Sequence, residues 1–125
     1  MSRLLVIADD NPAMRWLVRQ TCRDRFDEIV EANDGRELFW TLVRCSRTRA
    51  ADDVVLVTDI RMPAYSGLDV LAACDELDYH PTTIVMTSFP DADAYASTER
   101  AGAVLLPKPF VTADLRRLVD RAHRR

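Results

Sequence analysis

The strongest constraint on this chain is a repeated alternation. Five short apolar runs, at Arg3–Ala8, Asp27–Ala32, Val54–Thr58, Thr83–Met86 and Val104–Leu106, are separated by stretches in which apolar residues recur at helical spacing. Parallel neighbours cannot be joined by a tight turn, so each strand needs a crossover, and the crossover helix covers a face of the sheet. Strand–helix alternation repeated five times therefore predicts an α/β domain, a doubly wound parallel sheet with helices on both faces. The run VVLVT at Val54–Thr58 is β-branched and continuous, as expected of a strand buried on both sides.

Local signals place the helices between these runs. Asn11 followed by Pro12 reads as a cap and first helical position, where proline's missing N–H costs nothing. Met14, Leu17, Val18 and Cys22 then form that helix's apolar stripe. Asp34 is expected to cap a second helix running to Val43, with Leu38 and Leu42 inward, and the polar stretch Ser46–Asp53 reads as a surface loop. Arg61–Ser66 contains a proline and reads as a loop before a helix over Gly67–Leu77. A weaker helix over Asp91–Ala101 is stopped by Gly102, and Thr112 is expected to cap a last helix carrying Leu115, Leu118, Val119 and Ala122.

Length bounds the rest. The 125 residues suffice for one domain with one sizeable core, so a single domain is expected over residues 1–125. A net charge of −3 gives no global basic field to recruit nucleic acid or an anionic membrane. No apolar run reaches the roughly 20 residues of a spanning helix, and no basic-then-apolar leader opens the chain, so a cytoplasmic protein without membrane contact is expected. Cys22, Cys45 and Cys74 are widely spaced and lack a nearby histidine, which reads as three buried small hydrophobes rather than disulfides or a zinc site. Sixteen of the 17 basic residues are arginine; Lys108 is the single lysine, which suggests a position that needs a compact ammonium.

The chemistry gathers at the strand ends. In a doubly wound sheet, ligands bind beyond the carboxyl ends of the strands, where strand order reverses; for the order 2-1-3-4-5 this lies between strands 1 and 3. Strand 1 ends in Asp9-Asp10, strand 3 in Asp59, strand 4 in Thr87 and strand 5 in Pro107-Lys108-Pro109. Each has an ordinary structural use taken singly: a cap, a loop opener, a strand-end threonine, a turn. Together they would place three carboxylates beside a hydroxyl and an ammonium. Clustered carboxylates repel unless a cation joins them, and an oxygen-only set suits a hard ion such as Mg²⁺. A carboxylate can attack phosphorus to give an acyl phosphate, a transfer that needs mainly positioning and charge neutralisation.

The stretches LLVIADDNPAMR, VLVTDIRMPAYSGLDVL, IVMTSF and AGAVLLPKPF resemble bacterial response-regulator receiver domains, which have the flavodoxin-like fold of the chemotaxis regulator. The resemblance covers nearly the whole chain. It implies that Asp59 accepts a phosphoryl group from a histidine kinase or phosphotransfer protein. Asp10, Asp59 and the backbone carbonyl of Arg61 would hold Mg²⁺ directly, with Asp9 acting through water. Thr87 and Lys108 would bind the phosphoryl oxygens, and a cis peptide is implied at Lys108–Pro109. The family usually carries Tyr or Phe as a switch residue where this chain has Leu105, so the relay is expected to run through the Thr87–Phe89 loop. The last strand and last helix would form the partner or homodimer face. Arg61 and Phe89, two residues past Asp59 and Thr87, are placed to crowd the water that would hydrolyse the phosphoryl group.

Three other readings share parts of this pattern. A flavodoxin-type electron carrier needs a phosphate loop after the first strand, where Asp9-Asp10 would repel a phosphate. An aspartyl phosphatase normally puts its nucleophile after its first strand and needs a cap, for which the chain has no spare residues. A receiver-like interaction domain that works without phosphorylation is the remaining alternative, kept open by Leu105.

Overall fold

The computed structural model describes residues 2–123; residues 1, 124 and 125 of the expected domain lie outside the described residues. Its order is β1 (Leu4–Ala8), α1 (Pro12–Cys22), β2 (Glu28–Ala32), α2 (Gly35–Thr48), β3 (Val54–Asp59), α3 (Gly67–Glu76), β4 (Thr82–Thr87), α4 (Ala92–Arg100), β5 (Val104–Pro107) and α5 (Thr112–His123). All strand pairs are parallel and the sheet order is β2-β1-β3-β4-β5, as expected.

The sheet divides the interior into two cores because alternate strand residues face opposite sides. Leu4, Val6, Val54, Leu56 and Val85 meet Leu38, Leu42 and Cys45 of α2 and Val70, Leu71 and Cys74 of α3. On the other face, Leu5, Ile7, Val55, Val57, Ile84 and Met86 pack on Val18 and Cys22 of α1 and on Leu115, Val119 and Ala122 of α5. Val54–Thr58 is buried throughout, which is the two-sided burial its continuous apolar run implies.

Side-chain caps open four helices, two of them at the expected Asn11 and Asp34. The side chains of Asn11, Asp34 and Asp91 accept backbone N–H bonds at the starts of α1, α2 and α4, and Ser66 forms a capping box with Asp69 on α3. Gly102 takes a positive φ of 73° after α4, the conformation that lets a helix stop there.

Two expectations are corrected. The second helix runs to Thr48 rather than Val43, so Ser46, Arg47 and Thr48, the first three residues of the stretch expected to be loop, are helical. The reason is that Cys45 continues the buried stripe of Leu38, Thr41 and Leu42, and its burial outweighs the polar residues around it. A short 3₁₀ turn at Ala51–Asp53 takes up most of what remains before β3. Thr112 is the first residue of α5, and Val111 precedes it in the cap position. The sequence signal there was one residue late.

The cysteines are all free and buried, as the sequence implied. Burial pushes the Cys22 and Cys74 thiols up to about 11, and raises that of Cys45. Protonated thiols are poor nucleophiles. Native protein at pH 8 should therefore react with an aromatic disulfide reagent more than about a hundredfold slower than free cysteine, and release three equivalents on denaturation. Rapid labelling of even one thiol in the native state would contradict this packing.

Candidate functional site

β1 and β3 are neighbours at the centre of the sheet, and Ala8 pairs with Thr58, so Asp9, Asp10 and Asp59 leave the sheet together. Asp59 pairs with Met86, and Thr87 pairs with Pro107. Thr87 and Lys108 thus emerge one step farther along on the same edge. One carboxylate oxygen from each of Asp9, Asp10 and Asp59 lies within 4.8 Å of the others.

The three acids are not equivalent. Asp9 is buried, with 1% exposure; it accepts the Asn11 N–H at 2.9 Å and the Lys108 ammonium at 2.9 Å. Asp10 is exposed at the mouth of the cluster. Asp59 is half-buried and lies 3.4 Å from Lys108 Nζ. Burial raises the Asp59 carboxyl above its ordinary value; the Lys108 charge opposes this, the nearby Asp9 adds to it, and the Arg61 backbone N–H opposes it. Thr87 is buried, and its hydroxyl oxygen accepts the Phe89 N–H at 3.0 Å, which leaves its own proton free to donate. The Lys108–Pro109 peptide is cis, as the resemblance implied, and the Lys108 N–H donates to the Thr87 carbonyl at 2.7 Å.

The remaining sequence candidates fall around this centre. Arg61 is exposed and its guanidinium lies 4.3 Å over the Phe89 ring, so the two residues proposed to crowd the opening are stacked on each other. Leu105 is partly buried in the middle of β5, opposite Val85 and between exposed Val104 and buried Leu106.

Three contributors escaped the sequence reading. Arg15 on α1 donates from Nη1 to the Asp9 carbonyl at 2.8 Å while its Nε is held by Glu31 at 3.0 Å. Gly67 donates its N–H to the Ile60 carbonyl, and a Cβ there would strike the Asp59 carbonyl oxygen, so only glycine lets α3 start this close to the acidic loop. Gly35 has the same relation to the Tyr65 carbonyl oxygen. Glycine after a cap reads as an ordinary helix start; only the neighbouring chain shows why it is needed.

Three carboxylates against one ammonium leave two negative charges uncompensated among these four groups. An all-oxygen cluster of that charge fits a divalent hard cation.

A doubly wound sheet with an acidic cluster at its switch point, flanked by a threonine and a lysine, belongs to the class of α/β proteins that bind a charged ligand beyond the carboxyl ends of their strands. The comparisons make that specific. The response regulator receiver domain profile matches residues 5–120. The chain is 33% identical over 117 residues to the DNA-binding transcriptional regulator NtrC of Klebsiella pneumoniae, covering 93% of this chain and 24% of that protein. It is 32% identical over 108 residues to a response regulator receiver protein of Anaeromyxobacter, covering 86% of this chain and 43% of that one. The signal receiver domain of a putative Luxo repressor protein from Vibrio parahaemolyticus superposes with a TM-score of 0.86 at 21% identity, covering 99% of this chain and 92% of that one. The chain belongs to the response regulator receiver domain family, the receiving module of two-component signal transduction. It spans about a quarter of the length of the NtrC relatives. Among the described residues no helix is long and apolar enough to cross a membrane.

The raised Asp59 carboxyl has a consequence for stability. Its folded value lies above the unfolded one, so its contribution is fully present below about pH 4 and is lost as pH rises through the folded value. Without divalent ions, Asp59→Asn should therefore match wild type in Tm at acid pH and exceed it by a few degrees at neutral pH. Thermal melts across this range check it; a neutral-pH variant less stable than wild type would be the contrary result.

Proposed function

We propose that Asp59 is the phosphoacceptor of this receiver domain. The observation that carries the reading is the Lys108 ammonium set between the buried Asp9 and Asp59, with Asp10 exposed beside them. Asp59 is the carboxylate that combines partial exposure with contact to the lysine. A carboxylate oxygen of Asp59 attacks the phosphorus of a phosphohistidine on a kinase or phosphotransfer protein. The phosphorus–nitrogen bond breaks, and the nitrogen leaves with its electron pair. Lys108 and the Thr87 hydroxyl then hold the phosphoryl oxygens, the first by charge and the second by its free proton.

Asp10, Asp59 and the Arg61 carbonyl would hold Mg²⁺, with Asp9 acting through water; the ion supplies charge neutralisation for the transferring group. Asp9 is suited to the indirect role because its oxygens already serve Lys108 and Asn11. In this reading the domain catalyses only its own phosphorylation and dephosphorylation. Leu105 can neither donate a hydrogen bond nor swing a ring, so the change passes from Thr87 through the Phe89 N–H bond into the loop before α4. The face that the phosphorylated domain presents to partners, or to a second copy, is then the last strand and last helix.

Incubation with acetyl phosphate and Mg²⁺, followed by intact mass, should show one phosphoryl group. Asp59→Asn should abolish it and Lys108→Ala should slow it by about a hundredfold or more. Labelling of Asp59→Asn at the wild-type level would refute the assignment.

In this reading the Arg61–Phe89 stack, with the guanidinium 4.3 Å over the ring, crowds the opening through which water would approach phosphorus, and neither side chain is a general base at neutral pH. Phe89→Ala frees the guanidinium and opens the approach. Decay of the acyl phosphate, followed by phosphorus NMR, should be several-fold faster than in wild type, and an unchanged rate would remove the shielding role.

A further inference from the structure

The faces of α2 and α3 turned away from the sheet differ in charge and match in spacing. Along α2, Arg36, Trp40, Arg44 and Arg47 are all exposed and share one side of the helix. Trp40 is 54% exposed. Among the described residues the guanidinium groups of Arg36, Arg44 and Arg47 have no ion-pair or hydrogen-bond partner. The acid on α2 itself, Glu37, accepts the Asn33 N–H at 2.8 Å through one of its oxygens.

Along α3, the corresponding exposed positions are Asp69, Ala72 and Glu76, with Ala73 partly covered. This face offers two acids separated by small residues; one oxygen of Asp69 also accepts the Ser66 N–H at 3.4 Å in the capping box, and its other oxygen makes no bond among the described residues. Arg36 and Arg44 are about 12 Å apart along α2 with Trp40 midway, and Asp69 and Glu76 are about 10 Å apart along α3 with the alanines midway. Between the helices opens an apolar cavity of about 260 Å³ lined by Phe39, Tyr65, Asp69, Val70 and Ala73. Tyr65 on its rim is 49% exposed, and Phe39 stacks edge-on against Trp40 at 5.4 Å.

We propose that the α2–α3 surface is a docking face for a second copy of this chain. In a two-fold arrangement, α2 of each copy lies on α3 of the other. Trp40 seats over the partner's alanines at the mouth of the apolar cavity, and its flanking arginines meet the partner's acids. A two-fold axis repeats every contact, so one basic and one acidic helix face on the same molecule are enough to close the pair. The complementarity selects the occupant: the basic stripe alone would suit any anion, but only a partner with acids flanking small residues at this spacing also covers the tryptophan. This face is separate from β5 and α5 and does not rest on the phosphoacceptor reading. The face is also tied to the loop after Asp59, since the loop's Pro63 carbonyl accepts the N–H groups of both Gly35, at the start of α2, and Tyr65.

Sedimentation velocity over a concentration series up to about 1 mM should show a reversible dimer. Trp40→Ala should weaken it about thirtyfold, the usual cost of removing a central aromatic anchor. Arg36→Glu with Arg44→Glu should give a monomer, as should Asp69→Arg with Glu76→Arg, circular dichroism confirming that both remain folded. Mixing these two variants restores opposite charges at both contacts and should recover the dimer. A wild-type protein that stays monomeric would overturn the proposal. So would a dimer lost on substituting the exposed apolar residues of the α4–α5 side, Tyr95→Ala on α4 with Val111→Ser just before α5, but kept with Trp40→Ala, or a mixture that remains monomeric.

Discussion

Lys108 stands between two carboxylates in a place with little water, and the surroundings of the site follow from that placement. Its ammonium is 2.9 Å from Asp9 and 3.4 Å from Asp59. Asp9 is buried, and the Lys108 ammonium and the Asn11 N–H satisfy its two oxygens. One ammonium cannot balance three acids, so the pocket keeps an excess of negative charge that a divalent ion would match. The pocket is thus stable enough to fold but remains electrostatically incomplete.

Holding that lysine in place requires several elements at once. β5 must end beside β4, the Lys108 N–H must reach the Thr87 carbonyl, and the chain must turn through Pro109 into α5. On the opposite side, Arg15 fixes the Asp9 carbonyl and is itself held by Glu31 on β2. Gly67 allows α3 to begin against the Asp59 backbone. Charges from three strands are therefore fixed by contacts that reach the outermost strands on both edges. This explains how a few polar residues can be aimed from a rigid sheet when the loops bearing them are short.

Much of the architecture was legible in the chain because its signals are local. Asn11-Pro12 and Asp34 announce helix starts through hydrogen bonds to backbone two or three residues away. The end of α2 was not legible, because Arg44, Arg47 and Thr48 resemble a loop when counted by polarity. What extends the helix is Cys45, whose burial depends on α3 and Tyr79 being packed nearby. A single small residue per turn is a weak signal in sequence and a sufficient one in a core.

The sequence by itself determined the alternation of strand and helix, the two-sided burial of β3 and the set of polar residues at the strand ends, since each depends on periodicity or on residue type at a fixed offset. Only the tertiary structure decided how those residues divide their work. It buries Asp9 and exposes Asp10, although the two are adjacent and chemically identical. It also stacks Arg61 on Phe89 across 28 residues of chain and makes Gly67 indispensable to the approach of α3. The physical reason is that desolvation and steric fit are properties of surroundings assembled from distant segments, and no local pattern encodes which neighbour will be there.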